Sequence, residues 1–215
     1  QYDRTVVRVL EDRTERAWLV GANQGLVMRV SVDTGETTAL RPAVRGSWAP
    51  GAVVAAFGDG RTMAVALEDK LELWRDGAVI ATANTDPGRN VQELQFVAGG
   101  TKLVSSGSGN VTVWRLPKLE RIAGWNGWDR AAVSPDGALL ATGDLAGAVR
   151  FLDMETLMPI GLPLPGRGEP VVALEFTRDG GSLAVVDHQG EVRAWSANVS
   201  GWLEAACALA WRDLS

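Results

Sequence analysis

Short runs of apolar or alternating residues, each closed by a turn rich in Asp and Gly, follow one another along nearly the whole chain. The clearest stretch reads Ala131-Ala132-Val133, turn Ser134-Pro135-Asp136-Gly137, strand Ala138 to Thr142, turn Asp144-Leu145-Ala146-Gly147, strand Ala148 to Asp153. The same scheme returns without a gap 43 residues later: Val171 to Thr177, Arg178-Asp179-Gly180-Gly181, Ser182 to Val186, Asp187-His188-Gln189-Gly190, Glu191 to Trp195. Asp and Gly suit these corners because a tight reversal needs a positive φ angle and a side chain that bonds its own backbone. Strands this short, with turn signals every 8 to 12 residues or so, predict antiparallel all-β structure.

Three earlier segments keep the pattern in looser spelling. They give strands at Val6 to Leu10, Ala17 to Gly21 and Leu26 to Val32; at Ala52 to Phe57, Thr62 to Leu67 and Lys70 to Trp74; and at Val91 to Val97, Lys102 to Ser106 and Asn110 to Leu116. An outer fourth strand follows in the first four repeats, near Glu36 to Leu40, Ala78 to Ala83, Leu119 to Ala123 and Met158 to Leu162. The slot that ends the third strand falls at Ser31, Trp74, Trp114, Leu152 and Trp195, in steps of 43, 40, 38 and 43 residues. A self-similar period of about 40 to 45 residues predicts the blades of a β-propeller. The expected blades lie at about 5–46, 47–87, 88–124, 125–166 and 167–197, five recognisable four-stranded units, although the fifth shows only three strands before its pattern changes.

The run Val133-Ser134-Pro135-Asp136-Gly137-Ala138-Leu139-Leu140-Ala141-Thr142-Gly143, together with the strand endings at Trp114, Trp195 and Leu152-Asp153, resembles the WD-repeat family from about Val6 to Ala197. Two departures stand beside the resemblance: the family's Gly-His pair precedes no first strand, and Trp-Asp ends no third strand. The buried Asp-His-Ser-Trp network of well-formed members is therefore not expected to assemble, though Asp144 and Asp187 match its Asp position. Hydrophobic packing between sheets must then hold the blades.

After the fifth repeat, Trp202, Leu203, Ala205, Ala206, Leu209, Ala210 and Leu214 fall at spacings of three and four, which predicts an amphipathic helix over 198–215 capped by Ser200 or Asn198. The arrangement of Trp202, Cys207 and Arg212-Asp213-Leu214 resembles the short helix that ends many bacterial proteins joining a STAND-type NTPase to WD repeats. That resemblance implies the C-terminal sensor portion of a larger cytoplasmic signalling or defence protein. Val6 already reads as an innermost strand, so no segment is left to close the last blade, and a seven-bladed propeller would need roughly 80 further residues at this period. Missing blades or a second copy of the chain are the expected partners of the open edges. Eighteen Arg against three Lys suit a GC-rich bacterial source.

Composition narrows the chemistry. A net charge of -5 with scattered cations argues against nucleic acid, which demands clustered Lys and Arg. One Cys and one His leave no disulfide framework and no Cys/His zinc site within one chain, and no run approaches the ~20 apolar residues of a membrane span. His188 beside Asp187 sits in a turn, where catalysis would still require a positioned nucleophile. Cys207 lies on the apolar stripe of the expected helix and reads as a packing residue. Gly99-Gly100 and Gly107-Ser108-Gly109 lack the Lys-Ser/Thr pair and following helix of a phosphate loop. The inner strands carry Glu93 and Glu175 as their only acids. No catalytic residue, cofactor or metal is assigned.

The remaining candidates lie where one repeat joins the next. Trp48 and Arg45 precede the second blade, Trp125, Trp128 and Arg130 the fourth, and Arg167 the fifth. Such connections share one face of a propeller, and exposed Trp there would supply large contact area at small entropic cost, with the arginines rimming a site for an acidic partner. The same indoles would equally fill grooves between blades. The expected function is thus a non-enzymatic module that binds protein or peptide; the alternative is an autonomous five-bladed propeller for a small molecule or glycan.

Overall fold

The computed structural model describes residues 6–12, 17–22, 26–41, 53–57, 61–67, 69–87, 90–198 and 201–202. Sheet one contains β1 (Val6–Asp12), β2 (Ala17–Ala22), β3 (Val27–Ser31) and β4 (Thr37–Arg41). Sheet two contains β5 (Val53–Ala56), β6 (Thr62–Leu67), β7 (Lys70–Arg75) and β8 (Ala78–Asn84). Sheet three contains β9 (Glu93–Phe96), β10 (Lys102–Gly107), β11 (Asn110–Arg115) and β12 (Glu120–Asn126). Sheet four contains β13 (Trp128–Val133), β14 (Leu139–Asp144), β15 (Val149–Asp153) and β16 (Pro159–Leu164). Sheet five contains β17 (Val171–Phe176), β18 (Ser182–Asp187) and β19 (Val192–Ser196), so the last sheet has three described strands rather than four.

Each sheet is a meander in chain order, and its register follows from its turns. The Asp144 carboxylate accepts from the backbone N–H of Ala146 and Ala148 at 2.9 and 2.8 Å, and Asp187 does the same for Gln189 and Glu191 at 3.1 and 3.0 Å. Gly147 completes the first of these turns at φ +82°, where a Cβ would stand 2.6 Å from the Glu169 carbonyl oxygen. Asp136 and Asp179 anchor the preceding turns. Hydrogen bonds from the Ser134 hydroxyl and the Ala138 N–H hold the Asp136 carboxyl below its usual range, and those from Thr177 and Gly181 do so for Asp179.

The chain forms two compact units, Gln1–Ala131 and Ala132–Ser215. In the first, Val53, Ala55, Leu71 and Leu73 of sheet two and Leu94, Leu103 and Trp114 of sheet three form one core, while Val27 of sheet one meets Val54, Met63 and Val65. In the second, Ala141, Val149 and Phe151 of sheet four pack with Leu174, Phe176, Leu183 and Val185 of sheet five. The middle strands β6, β10 and β14 are buried on both faces, which is why their sequences read as near-continuous small and apolar runs.

Of the helix expected over 198–215, only Asn198, Gly201 and Trp202 are described. Gly201 and Trp202 are helical, and the Asn198 Oδ1 accepts from Gly201 N–H at 3.0 Å in the manner of an N-cap. The Trp202 ring meets Phe151 edge-on at 5.2 Å. Cys207 and the Arg212-Asp213-Leu214 segment lie outside the described residues, and no helix of the expected length is described.

Candidate interaction surface

Trp48 and Arg45 lie outside the described residues. Trp125 was expected in the connection between the third and fourth repeats, but the structure places it within β12, paired to Val111, because the outer strand runs on to Asn126. Gly127 alone separates β12 from β13, which Trp128 opens, and both indoles are half-buried. They therefore belong to sheet edges, not to a loose loop.

Arg130 is tied into the same junction. Its Nη1 donates to the Asp129 Oδ2 at 2.5 Å and to the Gln92 Oε1 at 2.6 Å, while Asp129 Oδ1 accepts from Gly109 N–H at 2.7 Å. This clasp joins the β10–β11 turn, the approach to β9 and the start of β13, so the guanidinium holds structure before it meets any partner. Arg167 behaves differently: it pairs with Glu191 at 2.7 Å with both side chains more than half exposed, at 66% and 57%. Such a pair contributes little to stability and exchanges readily for another acid.

Sequence reasoning missed a buried latch. Glu72 of β7 accepts from the Arg41 Nε at 2.9 Å and from the Trp74 Nε1 at 3.0 Å, with a second contact from Arg41 Nη2 at 3.4 Å. Burial alone would push the Glu72 carboxyl up. The Arg41 hydrogen bond and charge, the Trp74 bond and the Lys70 charge together outweigh burial and leave it below the ordinary glutamate range. The visible signal was an acidic residue in mid-strand, two before a tryptophan on the same face and flanked by Leu71 and Leu73, which are buried on the other.

Among the described residues the Asp-His-Ser-Trp network is not complete in any sheet, but one arm of it is present in sheet three. The Trp114 Nε1 donates to the Ser105 Oγ at 2.9 Å, both residues being buried. Leu103 pairs with Trp114 and Ser105 with Thr112, so the hydroxyl stands two residues along β10 from the indole's cross-strand partner. In sheet five the corresponding residue is Val185, and the Trp195 Nε1 has no hydrogen-bond partner. His188 is exposed in its turn, as its sequence setting suggests.

Repeated antiparallel meanders, packed face to face within each unit, are built as the blades of a β-propeller fold. The chain superposes on the β-propeller domain of Cps50 (Swd1) from Myceliophteria thermophila with a TM-score of 0.73 and 14% identity, over 89% of this chain and 67% of that one. Identity this low shows common fold. Neither a protein-family model nor a curated protein sequence matches the chain.

Proposed function

We propose that this chain is a non-enzymatic recognition module that binds a protein or peptide, serving as the WD-repeat sensor or scaffold part of a cytoplasmic bacterial signalling or defence protein with a STAND-type NTPase. The observation that carries the recognition reading is the propeller fold, whose rigid sheets hold short connections and strand edges outward. The acids described in detail support it, because they are engaged in structure: Glu72 in the latch, Asp129 in the clasp, and Asp136, Asp144, Asp179 and Asp187 in turns. The NTPase context rests on the terminal pattern of Trp202, Cys207 and Arg212-Asp213-Leu214. In this reading, further blades or a second copy of the chain complete the open edges.

Two measurements test it. The reading frame on the N-terminal side of Gln1 should encode a phosphate-binding loop and further repeats. A photo-crosslinking residue at position 125 or 128 of the full-length protein should capture a protein partner, while the same residue at exposed Glu155 should not. A frame without the loop removes the NTPase context; equal capture at all three positions removes the interaction surface.

A further inference from the structure

Asn126-Gly127 is the only Asn-Gly pair in the sequence; the other five asparagines precede Gln, Thr or Val. A glycine on the C-terminal side matters because no Cβ stands over the path from its backbone nitrogen to the asparagine carboxamide. The pair is also exposed. Asn126 ends β12, Gly127 follows it at φ +84°, and a Cβ built on Gly127 would meet nothing within 4 Å. Water therefore reaches both partners of a reaction that such a pair carries out on itself.

In that reaction the Gly127 nitrogen attacks Asn126 Cγ. An N–Cγ bond forms, the Cγ–Nδ2 bond breaks, and Nδ2 departs as ammonia with the proton that Gly127 gives up. Water then opens the cyclic imide, and no atom changes oxidation state. Attack at Cγ leaves aspartate on an unaltered backbone, whereas attack at the main-chain carbonyl leaves isoaspartate, in which the backbone runs through Cγ and is longer by a methylene. The folded chain opposes the first step in three ways. Asn126 is paired with Asn110 in extended strand, and closing the ring requires ψ of Asn126 to rotate out of that conformation. The Gly127 N–H donates to the Gly109 carbonyl oxygen at 2.9 Å, which holds the nucleophile in place. The Asn126 Oδ1 accepts from Asn110 Nδ2 at 3.1 Å, and the buried Asn110 is held in turn by the Thr112 hydroxyl, which donates to its Oδ1 at 2.7 Å.

We infer that Asn126-Gly127 is a deamidation site that the fold keeps locked, with the Asn110 carboxamide as the bolt, and that it reacts when the end of β12 parts from β11. The opening is local, because only the Asn110–Asn126 pair at the strand end and the Gly127 bond have to separate. Isoaspartate at position 126 lengthens the link into β13 and draws the Gly127 N–H off the Gly109 carbonyl. The Asp129 carboxylate grips Gly109 N–H from the other side, so the modification loosens the Ser108-Gly109 turn between β10 and β11.

The test incubates the full chain at neutral pH and maps its peptides by mass spectrometry, in which deamidated Asn126 changes mass while isomerised Asp-Gly corners do not. The folded chain should deamidate at position 126 about tenfold or more slowly than the same chain unfolded in guanidinium, since the hydrogen bonds of Gly127 and Asn126 must first open. Asn110→Ala should speed the reaction of the folded chain about three- to tenfold, the worth of one hydrogen bond, and quicken exchange of the Gly127 amide. Asn110→Asp keeps the acceptor for Thr112, removes the donor to Asn126, and should do the same. In the wild type, below the unfolding transition, the deamidation rate should follow the exchange rate of the Gly127 amide as guanidinium is raised, a reading that needs no variant to fold. Deamidation as fast in the folded chain as in the unfolded one would overturn the inference. So would a rate unmoved by either Asn110 variant, or one that tracks global unfolding instead of Gly127 exchange.

Discussion

Replacing Glu72 by Ala should destabilise the first unit more than any surface change in it. The substitution removes the acceptor shared by the Trp74 indole and the Arg41 guanidinium, whose side chain is only 10% exposed beside a glutamate at 13%. Breaking a buried pair from one side costs about 3–5 kcal/mol. The residual hydration of both side chains places the expected loss at the lower end, about 3 kcal/mol. Glu72→Gln keeps an amide oxygen for one donor and loses the charge, so about 1–2 kcal/mol is expected. Arg41→Met in the Glu72→Ala background removes the cation that has lost this carboxylate and should recover part of the loss, giving a coupling of about 1–3 kcal/mol in a double-mutant cycle. Urea unfolding followed by tryptophan fluorescence reads all four proteins.

The pH dependence has a fixed sign. The Glu72 carboxyl is lower in the folded chain than in the unfolded one, so its contribution is complete above the unfolded value near 4.5 and fades as pH falls through the lower folded value. The gap between wild type and Glu72→Ala should therefore hold constant from neutral pH down to about pH 5 and shrink below the ordinary glutamate range. Equal stability of the wild type and Glu72→Ala at pH 7, or a gap that persists undiminished at the lowest pH where both still fold, would refute the latch.

The indole slots give a pair of opposite predictions. Ser105→Ala leaves the Trp114 N–H buried without an acceptor and should cost about 1–3 kcal/mol, whereas Val185→Thr offers the Trp195 N–H a hydroxyl and should raise stability by about 0.5–1.5 kcal/mol, both measured by urea midpoint. A lowered midpoint for Val185→Thr would show that the indole in sheet five points away from the register position occupied by Ser105 in sheet three. Gly147→Ala meets both a left-handed φ of +82° and a carbonyl oxygen 2.6 Å from the new Cβ, so a loss of about 1–3 kcal/mol is expected, read as faster amide exchange in the β14–β15 hairpin.

The meanders were legible because turns and alternation are local. Asp144 with Gly147 and Asp187 with Gly190 state where the chain reverses, and a 43-residue offset aligns β14–β15 with β18–β19 residue for residue. Trp125 was misplaced because strand termination at an outer edge depends on whether a neighbour continues to offer hydrogen bonds, and β11 does so as far as Asn110. The latch was hidden for a related reason. Arg41 and Glu72 are 31 residues apart, and nothing local in either strand announces that a cation from one sheet fills the acceptor of the next.

Val149 and Val192 show where local reading ends. They occupy the same register position, Val149 opposite Gly143 and Val192 opposite Val186, in strands of the same spelling pattern. Val149 is 1% exposed because sheet five lies on its face, whereas Val192 is 68% exposed. Burying a valine is worth about 1.5–3 kcal/mol, so the environment of these two residues differs by as much as many whole substitutions change stability. The side chain alone carries no trace of that difference. What distinguishes the positions is whether another sheet arrives, as sheet five does on Val149.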